Sequence, residues 1–373
     1  MRKPAIAVLV LLLLAGGGIG TWHFLQPPGS PPAEAGTPTA PETPRGHVRD
    51  VPPDPANSAL IRLATFNVQN LGRDTPQQVP GVVEIVRTFK LHLVALQEVM
   101  NYEQGAAGPA AVRQIAQALG PTWRAEISTE PNGTESAARA SSNPPSFEFY
   151  AFLYDSSVLE LVSGSARLWD EAAHPDPALT DQERQFDREP FIASFKVKGA
   201  RLDFTVISLH AAAPDKSWRP AEIRRLRTVY ETVQAWDPNQ NDVFLLGDFN
   251  TALDDADWDA VRQIDSSIRA IPASAEVKTT LNKSTGALSQ NQYDSIWWQG
   301  RHSDEDVVAG QGGRVDAWTA PFPRDPARTP PAGVTHPDNL LRWHYAQLVS
   351  DHLPVLIVLR TDSDTDRFQD RGR

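Results

Sequence analysis

The chain has 373 residues, 40% of them hydrophobic and 22% charged, which is enough apolar sequence to bury one large core. Lys and Arg number 35 against 46 Asp and Glu, and the net charge of −11 argues against a sequence-independent DNA coat and against attraction to anionic lipid. The absence of cysteine excludes disulfides, a thiolate nucleophile and a Cys-ligated zinc.

The N-terminal segment predicts export. Residues 1–25 begin with Arg2 and Lys3 and continue as an apolar run, the pattern of a signal peptide or an N-terminal membrane anchor. Residues 26–58 are rich in proline and predict a disordered linker. We therefore expect a protein that is secreted or held on the outer face of a membrane by this anchor.

The first half of the predicted folded domain, residues 59–360, contains two strands that end in polar groups. The alternating run from Leu60 to Val68 predicts a strand with Asn67 at its end, and the apolar run after His92 ends at Glu98. A helical pattern separates the two runs, as in a parallel strand-helix-strand unit. We expect Asn67 and Glu98 to meet at one edge of a sheet.

Further polar groups accompany the later strands. Glu148 is the single charge in an aromatic strand, where it needs a partner, and His210 closes the second strand of a predicted hairpin. Asp248 and Asn250 follow a buried strand that stops at Gly247, and their spacing of two residues places them on one face.

The C-terminal part adds three more candidates. Asp294 opens an aromatic strand, and Asp351 and His352 lie in the last element, from Leu348 to Leu359, immediately before its apolar strand. Residues 301–342 predict a long loop of unknown role, and residues 361–373 predict a charged disordered tail. Taken singly, an Asp-His pair or a strand-end Asn is more often a structural hydrogen-bonding group than a catalytic one.

Together these side chains favour one kind of chemistry. Carboxylates and amides suit a hard cation such as Mg²⁺, with Mn²⁺ and Ca²⁺ as alternatives, and imidazoles paired with acids suit proton transfer. The chain has neither the G-x-S-x-G pattern of a serine hydrolase nor a P-loop. The pattern therefore indicates metal-assisted hydrolysis of a phosphate ester.

Six motifs in chain order, TFNVQN, LQEV, SLHA, LLGDFN, YDSIWW and SDHLPV, resemble the endonuclease/exonuclease/phosphatase superfamily and most closely its deoxyribonuclease I branch. The resemblance covers the chain from about Leu60 to Arg360 and implies an α/β (α+β) fold, a four-layered sandwich of two mixed β-sheets packed face to face with helices outside.

The resemblance also implies roles for the candidates. Glu98, Asn67 and Asp351 would hold the metal, and Asp248 and Asn250 would position water and phosphate. His352 would be held by Asp294, and His210, partnered by Glu148, would face the other side of the scissile phosphate.

The substrate implied by this branch is DNA. Arg188, in an Arg-Glu-Pro segment, resembles an arginine that contacts DNA, whereas Ser146 stands where the branch carries a groove-stacking tyrosine. A phospholipid or inositol phosphate is the alternative substrate, to which exposed Trp297 and Trp298 would be suited. A binding module that has kept the fold without catalysis is a third reading. No feature indicates a protein partner, and we expect a monomer.

Overall fold

The structure is a computed structural model that describes residues 47–48, 60–101, 109–131, 147–174, 186–214, 216–237 and 241–364. The predicted signal or anchor at 1–25 lies outside these residues, and so does most of the predicted linker at 26–58. Two residues of that linker, His47–Val48, are described and form a short strand, β1. Within the described part of the chain, no helix is both long enough and apolar enough to cross a bilayer.

The first sheet is mixed and has seven strands among the described residues. Its central strand, β2 (Leu60–Leu71), runs parallel to β3 (Leu93–Asn101) and antiparallel to β14 (Val355–Arg360). Most of β2 is buried, as expected for a strand covered on both faces. The sheet is completed by β4 (Trp123–Ile127), β5 (Phe147–Asp155) and β13 (Gly313–Val315), in the order β1-β13-β14-β2-β3-β5-β4.

The second sheet is also mixed. The predicted hairpin is formed by β8 (Phe191–Val197) and β9 (Asp203–His210), and β10 (Val243–Asp248) lies parallel to β9. The other strands are β6 (Leu159–Leu161), β7 (Arg167–Leu168), β11 (Ile268–Ile271) and β12 (Asp294–Gln299). The order is β11-β12-β10-β9-β8-β6, with β7 also paired to β8.

The helices of the described residues are α1 (Thr75–Thr88), α2 (Ala110–Leu119), α3 (Arg219–Gln234), α4 (Asp259–Arg262), α5 (Gly300–Ser303) and α6 (Pro337–Leu348). Short 3₁₀ turns occur at Ala256–Trp258 and Ala317–Thr319. Helices α1, α2 and α6 pack on the outer face of the first sheet, and α3 and α4 pack on the outer face of the second.

The two sheets pack face to face through an aromatic layer. The ring of Phe152, from the first sheet, lies 4.9 Å from that of Phe191 and 5.8 Å from that of Phe195 in the second. Aromatic contacts of this kind add to the free energy gained by burying the rings. The predicted four-layered α/β sandwich with two mixed sheets is confirmed.

The prediction of a plain loop at 301–342 is wrong. This stretch contains β13 and the start of α6, and the last predicted element, from Leu348 to Leu359, is divided. Leu348 ends α6, and β14 begins only at Val355, because Pro354 and the turn before it separate the two elements.

The fold also extends past its predicted end at residue 360. Thr361 and Asp364 are 4% and 2% exposed. The carbonyl of Thr361 accepts a hydrogen bond from the Arg201 amide, and the Asp364 carboxylate accepts one from the Asp203 amide. These bonds tie the end of the described chain to the start of β9, so the expectation of a disordered tail is wrong for residues 361–364. Residues 365–373 lie outside the described residues.

Candidate active site

The register of the second sheet brings three of the predicted residues together. Asp248, at the end of β10, pairs with His210 on the parallel strand β9 and with Asp294 on the antiparallel strand β12. Cross-strand neighbours have Cβ atoms about 5 Å apart. The three side chains therefore lie side by side at one edge of the sheet, although 84 positions separate the first from the last in the chain.

Gly247 permits this arrangement. Its φ of +149° is one that side-chain-bearing residues rarely adopt, and a Cβ there would lie 1.8 Å from the carbonyl oxygen of Leu209. Only glycine lets β10 approach β9 this closely just before Asp248.

The first sheet contributes Asn67 and Glu98. Irregularities follow Asn67 in β2 and Leu96 in β3, and Glu98 has a positive φ of 54°. The Asn67 amide Nδ2 donates to Glu98 Oε1 at 3.1 Å and to Asp248 Oδ2 at 2.9 Å. This single amide joins the ends of the two sheets, and the left-handed backbone at Glu98 is the kind of local strain that clusters at functional sites.

The turn before β14 adds Asp351. Ser350 Oγ donates to the Asn67 carbonyl at 2.8 Å and accepts from the Gln69 amide at 3.1 Å, which fixes this turn against β2. The Gln69 side chain donates to Asp351 Oδ2 at 2.8 Å. Asp351 is thereby held next to the strand that carries Asn67.

His352 is paired with two acids. Its Nδ1 lies 3.0 Å from Asp294 Oδ2 and 3.6 Å from Asp248 Oδ2. Burial alone would lower the pKa of the His352 imidazole, but the charges of Asp294 and Asp248 outweigh it and raise the pKa well above its usual range. Burial raises the pKa of Asp294 to about 6, against the opposing effect of His352. A charged, hydrogen-bonded imidazolium is the form that these surroundings favour.

His210 has a partner of its own. Its Nδ1 lies 2.7 Å from Glu148 Oε1, and its backbone amide donates to the Tyr150 hydroxyl at 2.8 Å. Burial and the nearby Arg188 charge lower the pKa of His210, but Glu148 and Asp248 together outweigh them and raise it. Because Nδ1 is engaged, Nε2 is the ring nitrogen left to face a substrate, and it lies 3.7 Å from Asp248 Oδ2.

Asp248 lies between the two imidazoles. Burial would raise the pKa of its carboxyl, but the His352 and His210 charges, with hydrogen bonds from the Asn250 amide and Asn67, lower it below the usual value. Asn250, which has a positive φ of 48°, donates from Nδ2 to the Ala211 carbonyl at 3.1 Å. The centre of the site is therefore an ionised carboxylate flanked by two acid-bound histidines.

Two groups of residues could hold a cation. Oδ1 of Asn67 and Oδ1 of Asp351 are buried without a hydrogen-bond partner among the described residues, and both are the hard oxygen donors that Mg²⁺ takes. Asp248, Asp294 and His352 also have ligand atoms within 4.8 Å of one another, and Asp294 Oδ1 likewise has no described partner. In the second group the His352 Nδ1 atom is already hydrogen-bonded to Asp294, so the oxygen-rich group around Glu98 fits a hard cation better.

Arg188 lies elsewhere than expected. Its side chain is 4% exposed, and its Nε donates to Glu148 Oε2 at 2.8 Å. Its Nη1 faces the carbonyls of His210 and Ala211 at 3.4 and 3.3 Å. The structure thus places the Arg188 side chain in the interior behind His210, and not on an exposed surface. Ser146, the other residue relevant to groove binding, lies outside the described residues.

Sequence reasoning missed three supporting residues: Gln69, Tyr150 and Glu222. Glu222, on α3, is 1% exposed and accepts hydrogen bonds from the backbone amides of Asp187 and Ala212, next to Arg188 and His210. The signals were present, since Gln69 is two residues from Asn67 on one strand face and Glu222 is an acid on the apolar side of a helix.

Comparison with known proteins agrees with this geometry. No family model matches the chain. A protein of Thioalkalivibrio sp. (strain K90mix) named deoxyribonuclease is 29% identical over 306 residues, which cover 80% of this chain and 71% of that protein. The human endonuclease/exonuclease/phosphatase family domain-containing protein 1 is 26% identical over 322 residues, 82% of this chain, but the match spans only 50% of that relative's length.

The fold has solved counterparts. An endonuclease/exonuclease/phosphatase family protein from Bacteroides thetaiotaomicron superposes with a TM-score of 0.52 at 16% identity, over 81% of this chain and 98% of that one. The two mixed sheets and the polar site between their ends define a hydrolase of phosphate esters. The chain is similar in sequence and in fold to proteins of the endonuclease/exonuclease/phosphatase superfamily.

Proposed function

We propose that this protein is a divalent-metal-dependent phosphodiesterase that hydrolyses DNA, a deoxyribonuclease I-like endonuclease. The observation that carries the proposal is the placement of Asp248 Oδ2 at 3.7 Å from His210 Nε2 and 3.6 Å from His352 Nδ1. Each histidine has its own acid, Glu148 or Asp294, so two proton-handling groups flank one carboxylate.

In the proposed reaction a water oxygen forms a bond to phosphorus while the bond to the leaving sugar oxygen breaks. Asp248 and Asn250 orient the water, and His352, held as an imidazolium, stabilises the negative charge on the phosphate oxygens. His210 gives its Nε2 proton to the leaving oxygen, and Glu148 stabilises the imidazolium before that transfer. The proton of the water passes to the Asp248 carboxylate and from there to solvent.

The proposed cofactor is Mg²⁺, with Mn²⁺ or Ca²⁺ as substitutes, held by Glu98, Asn67 and Asp351. Such an ion would supply Lewis-acid stabilisation of the phosphate and lower the pKa of bound water. The two buried unpartnered oxygens of Asn67 and Asp351 support this assignment.

DNA is favoured over the lipid alternative by two observations. The relative from Thioalkalivibrio is named deoxyribonuclease, and the match covers most of both chains. The tryptophan pair that would have suited a lipid surface is buried, with Trp297 2% and Trp298 5% exposed. That support for a phospholipid or inositol-phosphate substrate is therefore lost.

A substrate panel tests the proposal. The full chain is assayed on supercoiled plasmid, RNA, an abasic oligonucleotide and sphingomyelin vesicles, each with Mg²⁺ and with Ca²⁺, and a Glu98→Gln variant serves as the control for contaminating nuclease. We expect nicking of the plasmid that is lost in the variant. Release of phosphocholine with intact plasmid would show that the substrate class is wrong.

The proposed location is outside the cytoplasmic membrane, secreted or tethered. It rests on the basic and apolar sequence of residues 1–25. A fusion of residues 1–58 to a phosphatase that is active only after export should show activity, and Leu11→Arg in the apolar run should abolish it. Equal activity of both fusions would contradict export through this segment.

A further inference from the structure

A cavity of about 410 Å³ lies beside the proposed metal residues and is not used by the reaction described above. Its volume is within the range of small-ligand sites, roughly 300–1,000 Å³. Three cationic side chains line it, from Arg73, Lys283 and Arg328, against one acid, Asp74. The chain as a whole has a net charge of −11, so this cavity is a concave region of local positive charge on an acidic protein.

The cations of the cavity are only weakly compensated. Among the described residues, neither Arg73 nor Lys283 forms an ion pair with an acid, and both side chains are exposed. Arg328 reaches Asp325 and Asp74 only at 3.5 and 3.6 Å, longer than good charged hydrogen bonds. An anion in the cavity would therefore meet guanidinium and ammonium groups that no carboxylate of the described residues holds tightly.

The cavity is physically connected to the catalytic centre. The side chain of Gln69 accepts a hydrogen bond from Lys283 through Oε1 and donates one to Asp351 through Nε2. Its neighbour Asn70, also on the cavity wall, donates its backbone amide to Glu98 Oε2 at 2.8 Å. One amide group and two hydrogen bonds, about 7 Å in all, separate Lys283 from the proposed metal carboxylate Asp351.

The distance of about 7 Å between Lys283 and Asp351 agrees with the spacing of phosphates in a nucleic-acid strand. Phosphates of a nucleic-acid strand follow one another at about 3.4 Å along the helix axis, so the second phosphate from one bound at Glu98 and Asp351 lies about 7 Å further along the axis, within reach of the cavity.

We propose that the cavity lined by Arg73, Lys283 and Arg328 is a phosphate subsite that binds a non-scissile backbone phosphate of the DNA substrate on the metal side of the cut. The inference rests on the proposed nuclease function and deepens it. A long substrate fills both the reaction centre and the cavity, whereas a small ester with one phosphate fills the reaction centre alone.

The test compares these two substrates in three variants. Arg73→Gln removes one positive charge from the cavity, and Arg73→Lys keeps it. Arg201→Gln is the matched control, because Arg201 lies in the hairpin at the start of β9, about 25 Å from His210 at the other end of that eight-residue strand. The measured quantity is kcat/KM for a short DNA duplex divided by kcat/KM for bis(4-nitrophenyl) phosphate.

We expect Arg73→Gln to lower this ratio about fivefold to tenfold, mainly through KM for DNA. We also expect it to reduce the slope of log kcat/KM against log salt by about one unit. Arg73→Lys should restore most of the loss, and Arg201→Gln should leave the ratio unchanged. Equal losses on both substrates, or no loss on either, would overturn the subsite.

A binding measurement separates failure of the subsite from failure of the nuclease proposal. Inorganic phosphate is titrated calorimetrically into each metal-free chain. If the unmodified chain cuts no DNA, the nuclease proposal fails, yet several-fold weaker phosphate binding in Arg73→Gln alone still assigns an anion site to the cavity. Equal binding by all chains refutes the site. Weaker free-phosphate binding combined with an unchanged DNA ratio would mean that the cavity takes free phosphate, and the substrate subsite would be wrong.

Discussion

Replacement of Glu148 by Gln should damage stability and catalysis together. The carboxylate is fully buried, and its two oxygens serve two partners, His210 Nδ1 at 2.7 Å and Arg188 Nε at 2.8 Å. Glu148→Gln keeps the shape but removes the charge and leaves Asp187, at 3.5 Å, as a remaining counter-ion of the buried Arg188 guanidinium.

The expected cost in free energy of unfolding is about 3 kcal/mol, the lower part of the range for breaking a buried ion pair, since Asp187 still compensates part of the charge. Turnover should fall about a hundredfold to ten-thousandfold, because an amide no longer stabilises the His210 imidazolium. The pKa of His210 should fall as well, since Arg188 lowers it and Glu148 no longer opposes that effect.

Urea unfolding followed by tryptophan fluorescence, which the 10 Trp residues permit, measures the first effect, and a plasmid-nicking time course measures the second. Arg188→Met is the companion variant. It should lower stability while leaving the salt dependence of DNA cleavage unchanged, because Arg188 is buried behind His210. A higher KM for DNA and a shallower salt slope in Arg188→Met would show that this arginine contacts DNA and would refute the reasoning.

Three further predictions concern neighbouring groups. Gly247→Ala should destabilise the fold by more than about 4 kcal/mol, because its Cβ would lie 1.8 Å from the Leu209 carbonyl oxygen; a normal urea midpoint would contradict this. Burial raises the pKa of Glu222 from 4.5 to about 7, so proton binding stabilises the folded chain below pH 4.5 and this contribution is lost as pH rises to about 7. The free energy of unfolding of the unmodified chain should therefore fall by on the order of 3 kcal/mol across that window relative to that of Glu222→Gln. Parallel pH profiles of the two chains would refute the assignment. His210→Ala and His352→Ala should each lower turnover about a hundredfold to ten-thousandfold while Mg²⁺ affinity, measured by calorimetry, stays nearly unchanged; a large loss of metal binding would contradict their roles.

The polar residues at the strand ends could be predicted from the sequence because the alternation of apolar residues in a β-strand is a local pattern. Alternating apolar residues located β2, β9 and β10, and the polar residue closing each strand predicted where Asn67, His210 and Asp248 would gather. The prediction that Asp248 and Asn250 share one face likewise followed from their two-residue spacing alone. The resemblance of the six motifs added the order in which these strands occur.

Other features depended on contacts that sequence spacing does not encode. The hydrogen bond from Asn67 to Asp248 joins residues 181 positions apart, and the burial of Arg188 depends on Glu148, 40 positions away. An arginine in a polar loop looks exposed until its partner is known. Helix α6 was missed inside a Pro- and Gly-rich stretch, although Pro337 at its first turn is a common helix-start signal.

Cleavage of supercoiled plasmid by the full chain tests the central claim most directly. The assay follows conversion to relaxed circles with Mg²⁺, with chelator, and with the Glu98→Gln and His210→Ala variants prepared identically. The account predicts relaxed circles that appear only with the unmodified chain and Mg²⁺, which is the signature of endonucleolytic cutting by this site. Intact plasmid in every reaction, or equal nicking by the unmodified chain and both variants, would contradict it.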